Sequence, residues 1–412
     1  MDTLRPVSSS HAPKRLPRTL YVANGIELFE RFAFYGMYVG LSRYLTNVIG
    51  LGDVETGSAM GTMRLVGQMA PIVCGFIADR ITFRISLVIA FVTYIASYSA
   101  LTIARTPALV LLALLGTAIA GGFMKPVITG TVVRTTNDDE RKAGFALFYR
   151  MVNLGSVLGK VSAFFVRRTF SLSAVIVNSI VASVLALGIT LGMFKEPATK
   201  GEVPKESFGT ALRGYWTALR DPVFSIALLT LSGFFFMYEQ FYFTFPKYLE
   251  RHISKDAPYE IIGLMNPLLI ALFQGRITEW SKRLLPTTSM LIAMLGGALS
   301  MAAMGFFPTL AGALVASALF ATAEMVFAPN YYSYISSFAP EGKAGLYMGL
   351  AFVPSGIGAW IGGQVSGRLV AHYLPKEGPR APLTMWLVYA ACGAGCALLL
   401  VAYARFAARR SA

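Results

Sequence analysis

Charge is scarce in this chain. Only 14% of its 412 residues are Asp, Glu, Lys or Arg, against roughly a quarter in an ordinary soluble domain. Acids are the scarcer sign, 21 against 36 bases. That composition excludes a water-soluble protein with a single core. Histidine occurs three times, at His11, His252 and His372, in the N-terminal tail and in segments that read as outer loops. No Ser-His-Asp set, metal-ligand spacing or phosphate-binding Gly-Lys loop accompanies these histidines, so an intramembrane enzyme is not expected. Cysteine is equally rare. Cys74, Cys392 and Cys396 each lie within an apolar stretch, without the spaced partners of a zinc site or a disulfide framework. No metal and no cofactor are expected. Residues 1–18 lack an apolar stretch followed by a small-residue cleavage site, so no secretory signal is expected and the first apolar run must direct insertion.

Apolar sequence fills the space that charge leaves. Hydrophobic residues make up 55% of the chain, and a helix needs about 20 of them to cross a bilayer. Runs of that kind occupy residues 20–47, 57–78, 85–104, 107–133, 143–166, 171–194, 223–249, 259–275, 287–307, 309–337, 344–367 and 383–406. The net charge of +15 does not point to nucleic acid, because the bases sit between apolar runs rather than on a soluble face with stacking aromatics. The partner they imply is the lipid bilayer. With both termini inside, bases in inner segments outnumber those outside by roughly two to one. The fold class expected is therefore an all-α membrane protein with 12 transmembrane helices in two six-helix bundles, N-in and C-in, in a plasma membrane.

The organisation follows from one polar interruption. An inner tail over 1–18 leads into an N-terminal bundle over 19–194; a linker over 195–221 leads into a C-terminal bundle over 222–407 and a tail over 408–412. Within the linker, Phe208, Ala211, Leu212, Tyr215, Trp216 and Leu219 recur at helical spacing behind Ser207, a suitable N-cap. A short helix lying on the membrane surface is expected there. The halves also echo each other. Arg80-Ile81-Thr82 returns as Arg276-Ile277-Thr278, Pro126 as Pro329, and Lys142-Ala143-Gly144 as Lys343-Ala344-Gly345, which favours duplication of a six-helix unit.

Charges inside the apolar runs carry the functional signal. A charge at the bilayer centre costs at least about 2.5 kcal/mol on insertion scales, yet Glu27, Glu30, Glu239 and Glu324 lie at depth, as do Arg31, Arg64, Lys125, Arg150 and Lys160. The deep bases are all in the first half. Two bundles facing each other would thus hold a zwitterion, its carboxylate at Arg31 and Lys125 and its ammonium at Glu324. Glu27, Glu30 and Arg31 share one helix face at i, i+3 and i+4. Two carboxylates on one guanidinium cannot be stabilised equally, which makes them candidate proton carriers. Tyr35, one turn after Arg31, is the aromatic expected to line the pocket. Gly121-Gly122 and Gly362-Gly363 are expected to mark close helix packing.

These residues fall into a pattern. Glu27-Leu28-Phe29-Glu30-Arg31-Phe32-Ala33-Phe34-Tyr35-Gly36-Met37 resembles the first-helix signature of the proton-dependent oligopeptide transporters, a branch of the major facilitator superfamily. Phe148-Tyr149, Val152-Asn153-Leu154-Gly155-Ser156, Lys125-Pro126, Tyr238-Glu239-Gln240, Asn266-Pro267 and Glu324 followed by Pro329 are similar to its later motifs, and Gly75 to Arg80 to the superfamily's loop motif. The resemblance implies a monomeric symporter that imports di- and tripeptides with protons by alternating access, driven by the proton gradient. The carboxylate end would be held by Arg31, Tyr35, Lys125 and Asn153 and the amino end by Asn266 and Glu324, with proton coupling at Glu27, Glu30, Arg31 and Glu239.

The chain also departs from that pattern. Many members carry a base where this chain has Tyr38, which leaves Glu239 to pair with Arg43 or to belong to a differently built outer gate. Val127, Ala328 and Ala351 replace commoner pocket residues, and Arg64, Arg150 and Lys160 are additional bases. The alternative cargo is therefore another small anion or a drug-like acid carried on the same fold.

Overall fold

The computed structural model describes residues 16–198 and 207–411. Most of the inner tail, the polar stretch 199–206 of the linker and residue 412 lie outside the described residues. Each of the twelve apolar runs is a helix or a helix pair. The first half holds α1 (Arg18–Tyr44), α2 (Asp53–Ala78), α3 (Phe83–Ile103), α4 (Pro107–Thr135), α5 (Asp138–Thr169) and α6 (Leu172–Gly192). The linker contains α7 (Phe208–Leu219). The second half begins with α8 (Pro222–Phe243), extended by α9 (Phe245–Tyr248) and a wide turn over Leu249–Ile253. The eighth span is split into α10 (Tyr259–Ile262) and α11 (Met265–Ser281), and α12 (Pro286–Phe306) and α13 (Leu310–Ser336) follow. The eleventh is split into α14 (Ala344–Leu350) and α15 (Val353–Tyr373), and α16 (Pro382–Ser411) closes the chain.

Local chemistry sets these boundaries. Thr82, Thr106, Ser171 and Thr309 each accept a backbone N–H of the first turn of α3, α4, α6 and α13, satisfying donors that a helix leaves open at its start. Ser207 does the same for α7, whose Thr210 N–H donates to its hydroxyl at 3.1 Å, as expected from the sequence. Pro107, Pro222 and Pro286 occupy first positions, where a missing N–H costs nothing. Ten helical segments are long and apolar enough to span a bilayer. The remaining two long helices, α1 and α5, carry the charged faces discussed below. The protein is multi-pass.

The apolar interior separates into two cores, one built almost wholly from residues between Val22 and Phe194, the other mainly from residues between Ala218 and Tyr403. Pro126 and Pro329 fall at the same distance from the starts of α4 and α13, consistent with a repeated unit. The Arg80 and Arg276 triplets are not equivalent, however. The first lies in the turn after α2 and the second within α11.

Glycine decides how closely the bundles approach. On α2 and α15, a Cβ at Gly363 would stand 2.2 Å from the Gly57 carbonyl oxygen, and one at Gly57 2.3 Å from that of Gly363. The two backbones touch, as small residues allow. Gly363→Ala is expected to destabilise the protein by about 1–3 kcal/mol, the usual range for overpacking; thermal unfolding of the purified protein in detergent measures it. The same device joins α1 to α5, where a Cβ at Gly155 would lie 2.8 Å from that of Arg31, and one at Gly159 2.4 Å from the Phe32 carbonyl.

The side opposite the linker is closed by ion pairs between the halves. Asp53 at the start of α2 takes Lys247 Nζ at 2.8 Å and Arg251 Nη1 at 2.8 Å. Arg43 Nη2 meets Glu250 at 2.5 Å, and Arg167 Nε meets Glu260 at 2.5 Å. The closure is thus charged rather than merely apolar. Asp53→Asn strands two buried cations, Lys247 and Arg251 being 2% and 8% exposed, and should loosen it. In a protein lacking its native cysteines, a cysteine placed at buried Ile262 is then expected to label several-fold faster with a membrane-impermeant maleimide from that side.

Candidate functional site

A cavity of about 270 Å³ opens on the first half, lined mainly by α1, α2, α4 and α5, with Phe352, from the break between α14 and α15, the one lining residue of the second half. It exists because the Gly155 and Gly159 contacts hold α5 against α1, fixing the charged face of α1 toward the middle of the protein. Glu27, Glu30, Arg31 and Tyr35 line it, as their helical spacing requires, together with Arg64 from α2 and Lys125 from α4.

Arg31 holds both acids of its helix. Its Nε stands 3.0 Å from Glu27 Oε1 and 2.5 Å from Glu30 Oε2. The acids are not equal, however. Glu30 also accepts the Tyr94 hydroxyl at 2.5 Å through Oε1. Oε2 of each acid lacks a hydrogen-bond partner among the described residues, but that of Glu30 lies against Arg31 Nε, whereas that of Glu27 faces no charged group in an ion pair. That bare oxygen is an open position for a proton. Tyr94 of α3 gave no sign of this role in the sequence, since the contact spans 64 positions.

Glu239 is fully buried on α8. Its partner is Arg64, whose Nη2 lies 2.7 Å from Glu239 Oε1, and the Tyr38 hydroxyl donates to Oε2 at 2.7 Å. Of the two expectations for Glu239, pairing with Arg43 does not hold, since Arg43 belongs to the outer closure with Glu250, and Glu239 sits in a cluster with Arg64 and Tyr38 instead. The base has moved from α1 to α2, and Tyr38, standing where a base is common, still binds the same acid.

Lys125 differs from every other base around the cavity. It has no ion-pair partner among the described residues, is exposed to the cavity, and its Nζ lies 3.8 Å above the Phe352 ring. Glu27 and Arg31 are within electrostatic reach. An ammonium of this kind over an open volume has the chemistry to take an anion.

Two of the expected residues lie apart from this cavity. Asn153 does not reach the cavity. It is exposed on α5 and its Nδ2 donates to the Tyr149 carbonyl at 2.9 Å. The value of its motif lies in Gly155, which seats α5 on α1. Nor does Glu324 face the same void as Arg31 and Lys125. Asn266 Nδ2 donates to Glu324 Oε2 at 2.5 Å, and Asn266 lines a second, much smaller cavity of about 30 Å³ with Lys160, Tyr238 and Tyr242. The structure brings the two residues expected at the amino end together, but apart from the cavity where the carboxylate residues are.

Twelve spans in two cores, joined by a surface helix and enclosing a charged central cavity, form a pattern with known relatives. A model of the Major Facilitator Superfamily matches residues 24–363. The chain belongs to the major facilitator superfamily. Among curated relatives, this superfamily member is 22% identical over 343 residues to the uncharacterized MFS-type transporter YqjV of Bacillus subtilis, covering 82% of this chain and 83% of the relative. Among solved structures, a POT family transporter in complex with a thioalcohol-conjugated peptide superposes with a TM-score of 0.79 at 18% identity, over 95% of this chain and 96% of the other. The nucleoside transporter NupG, as a D323A mutant, superposes with 0.81 at 15% identity, over 93% and 99%. The superfamily fold is therefore shared by proteins described with different cargoes, and the cavity's own chemistry must distinguish between them.

Proposed function

We propose that this protein is a proton-coupled symporter of the oligopeptide-transporter branch, importing short peptides through a plasma membrane by alternating access. The observation that carries this reading is the pairing of one unpartnered cation, Lys125, with a buried carboxylate pair on Arg31, both facing a single 270 Å³ cavity. Lys125 takes the peptide carboxylate as a charge-assisted hydrogen bond. Tyr35 and Arg31 flank it, and Glu27, with its bare oxygen, takes the proton. When Lys125 gains an anion, the field at Glu27 becomes more negative, so substrate and proton favour each other's binding.

The energy for uptake comes from the proton gradient, and no cofactor takes part. The outer ion pairs close one side, and the excess of bases puts the linker side in the cytoplasm. Glu239, Arg64 and Tyr38 tie α8 to α1 and α2, which makes this cluster the element that must part when the outer side opens.

Purified protein in liposomes should accumulate labelled dialanine several-fold under an inward proton gradient and lose that accumulation on adding a protonophore. Accumulation indifferent to the gradient would count against coupling, and none with any peptide would count against the cargo. The second reading, transport of another small organic anion, is favoured by one observation: Glu324 lies away from the cavity that Lys125 faces. A panel of charged and uncharged analogues in the same liposomes separates the two.

A further inference from the structure

Lys160 has no part in the cycle above. It lies on α5, is 4% exposed, and its ammonium donates to the Gly263 carbonyl at 3.1 Å, at the break between α10 and α11. The rings of Tyr35 and Tyr242 stand 5.5 Å and 5.7 Å away. The side chain therefore crosses from the first bundle into the second.

A buried ammonium needs a counter-charge, because the desolvation cost of an isolated ion exceeds what a carbonyl and two rings return. Lys160 lines the smaller cavity together with Asn266, whose side chain donates to Glu324, and Glu324 lies within electrostatic reach of Lys160. The other deep acids are already matched, Glu27 and Glu30 to Arg31 and Glu239 to Arg64. Three of the deep acids are thus in ion pairs, and the fourth, Glu324, forms none among the described residues but has Lys160 within electrostatic reach. Among the deep bases, Lys125 and Arg150 have no acid partner among the described residues. The spare charge of the interior is positive.

The free volume divides in the same way. About 270 Å³ opens before Lys125, while about 30 Å³ remains beside Lys160 and Asn266, room on the order of a water molecule or two. Ser317 and Tyr259 line that smaller space, and Ser317 Oγ has no hydrogen-bond partner among the described residues.

From this charge balance we infer that the site requires an anionic terminus on its cargo and does not require a free amine, so that N-acylated peptides are ligands comparable with free ones. Lys160 occupies the position of a cargo ammonium opposite Glu324. The inference rests on the peptide reading above and sharpens it.

The test compares dialanine, N-acetyl-dialanine and dialanine amide as competitors of proton-driven uptake in liposomes, in the native protein and in Lys160→Met. In the native protein the N-acetyl compound should compete within about threefold of dialanine, and the amide should fail. Lys160→Met uncovers Glu324 and should shift the preference toward the free amine by tenfold or more. Rejection of the N-acetyl compound by the native protein overturns the inference while leaving the peptide reading in place, and so does an unchanged preference in a transporting Lys160→Met protein. Should Lys160→Met not fold, the double variant Lys160→Met with Glu324→Gln removes both charges together and must retain the native indifference to the amine; a preference for the free amine in that variant overturns the inference. If none of the three compounds competes, the peptide reading and this inference fall together.

Discussion

Lys125→Ala should abolish proton-driven accumulation and weaken substrate binding by roughly 10- to 100-fold, the effect of losing a hydrogen bond to a charged group at about 1.5–3 kcal/mol. The size of the effect follows from the absence of a substitute. Arg31 is committed to two carboxylates and Arg64 to Glu239, so no other cavity base can turn to the cargo without stranding a buried acid. The fold should survive, because Lys125 makes no ion pair and its main contact is the Phe352 ring. Lys125→Ala should therefore keep its melting temperature within a few degrees while losing the stabilisation that ligand confers on the native protein by mass action. A thermal-shift titration with dialanine measures both. Lys125→Arg restores charge but spreads it over a planar fork and should recover binding only in part. Undiminished driven uptake by Lys125→Ala would move the anion site elsewhere and remove the basis of the proposed function.

Lys125 was legible in the sequence because a lysine inside a long apolar run is costly wherever it points. The face of Glu27, Glu30 and Arg31 was legible for a local reason, since helical spacing alone puts them together. The twelve spans were legible from apolar length, and α7 from its periodicity and Ser207. What escaped the sequence was pairing over distance. Arg64 and Glu239 are 175 positions apart, on helices from different bundles, and no local pattern ties them. That Asn153 lies outside the cavity lining was hidden for a related reason. A polar residue beside a glycine suggests chemistry, yet the glycine's missing Cβ is what the packing of α1 on α5 requires. Glu324 was placed correctly by type and depth, but its cavity was not, because which void a side chain enters depends on the breaks near Gly263 and Phe352 that interrupt α10–α11 and α14–α15. Gly263 and Pro267 mark the first break and Pro354 the second, but such marks do not say which void a neighbouring side chain enters.

Arg64→Leu should be the most destabilising single change among the deep charges, at about 3–5 kcal/mol, the cost of leaving a buried ion-pair partner alone. Glu239 has no exposure, and among the described residues the Tyr38 hydroxyl is the one donor that would remain to it. Glu239→Gln alone should cost less, since Arg64 retains partial access to the cavity, its side chain being 19% exposed. The double variant Arg64→Leu with Glu239→Gln removes both charges and should recover most of the lost stability, giving a coupling energy of several kcal/mol in a double-mutant cycle. Recovery of the fold should not bring recovery of coupling. With no charge left between α2 and α8, the cluster that parts during opening has nothing for a proton to exchange with. Counterflow of labelled dialanine at zero gradient should persist in the double variant, whereas accumulation under a proton gradient should fall at least tenfold. The two assays divide the possible roles cleanly. A stable double variant that still concentrates peptide would show Arg64 and Glu239 to be a structural clamp, leaving proton coupling to Glu27 and Glu30 on α1 alone.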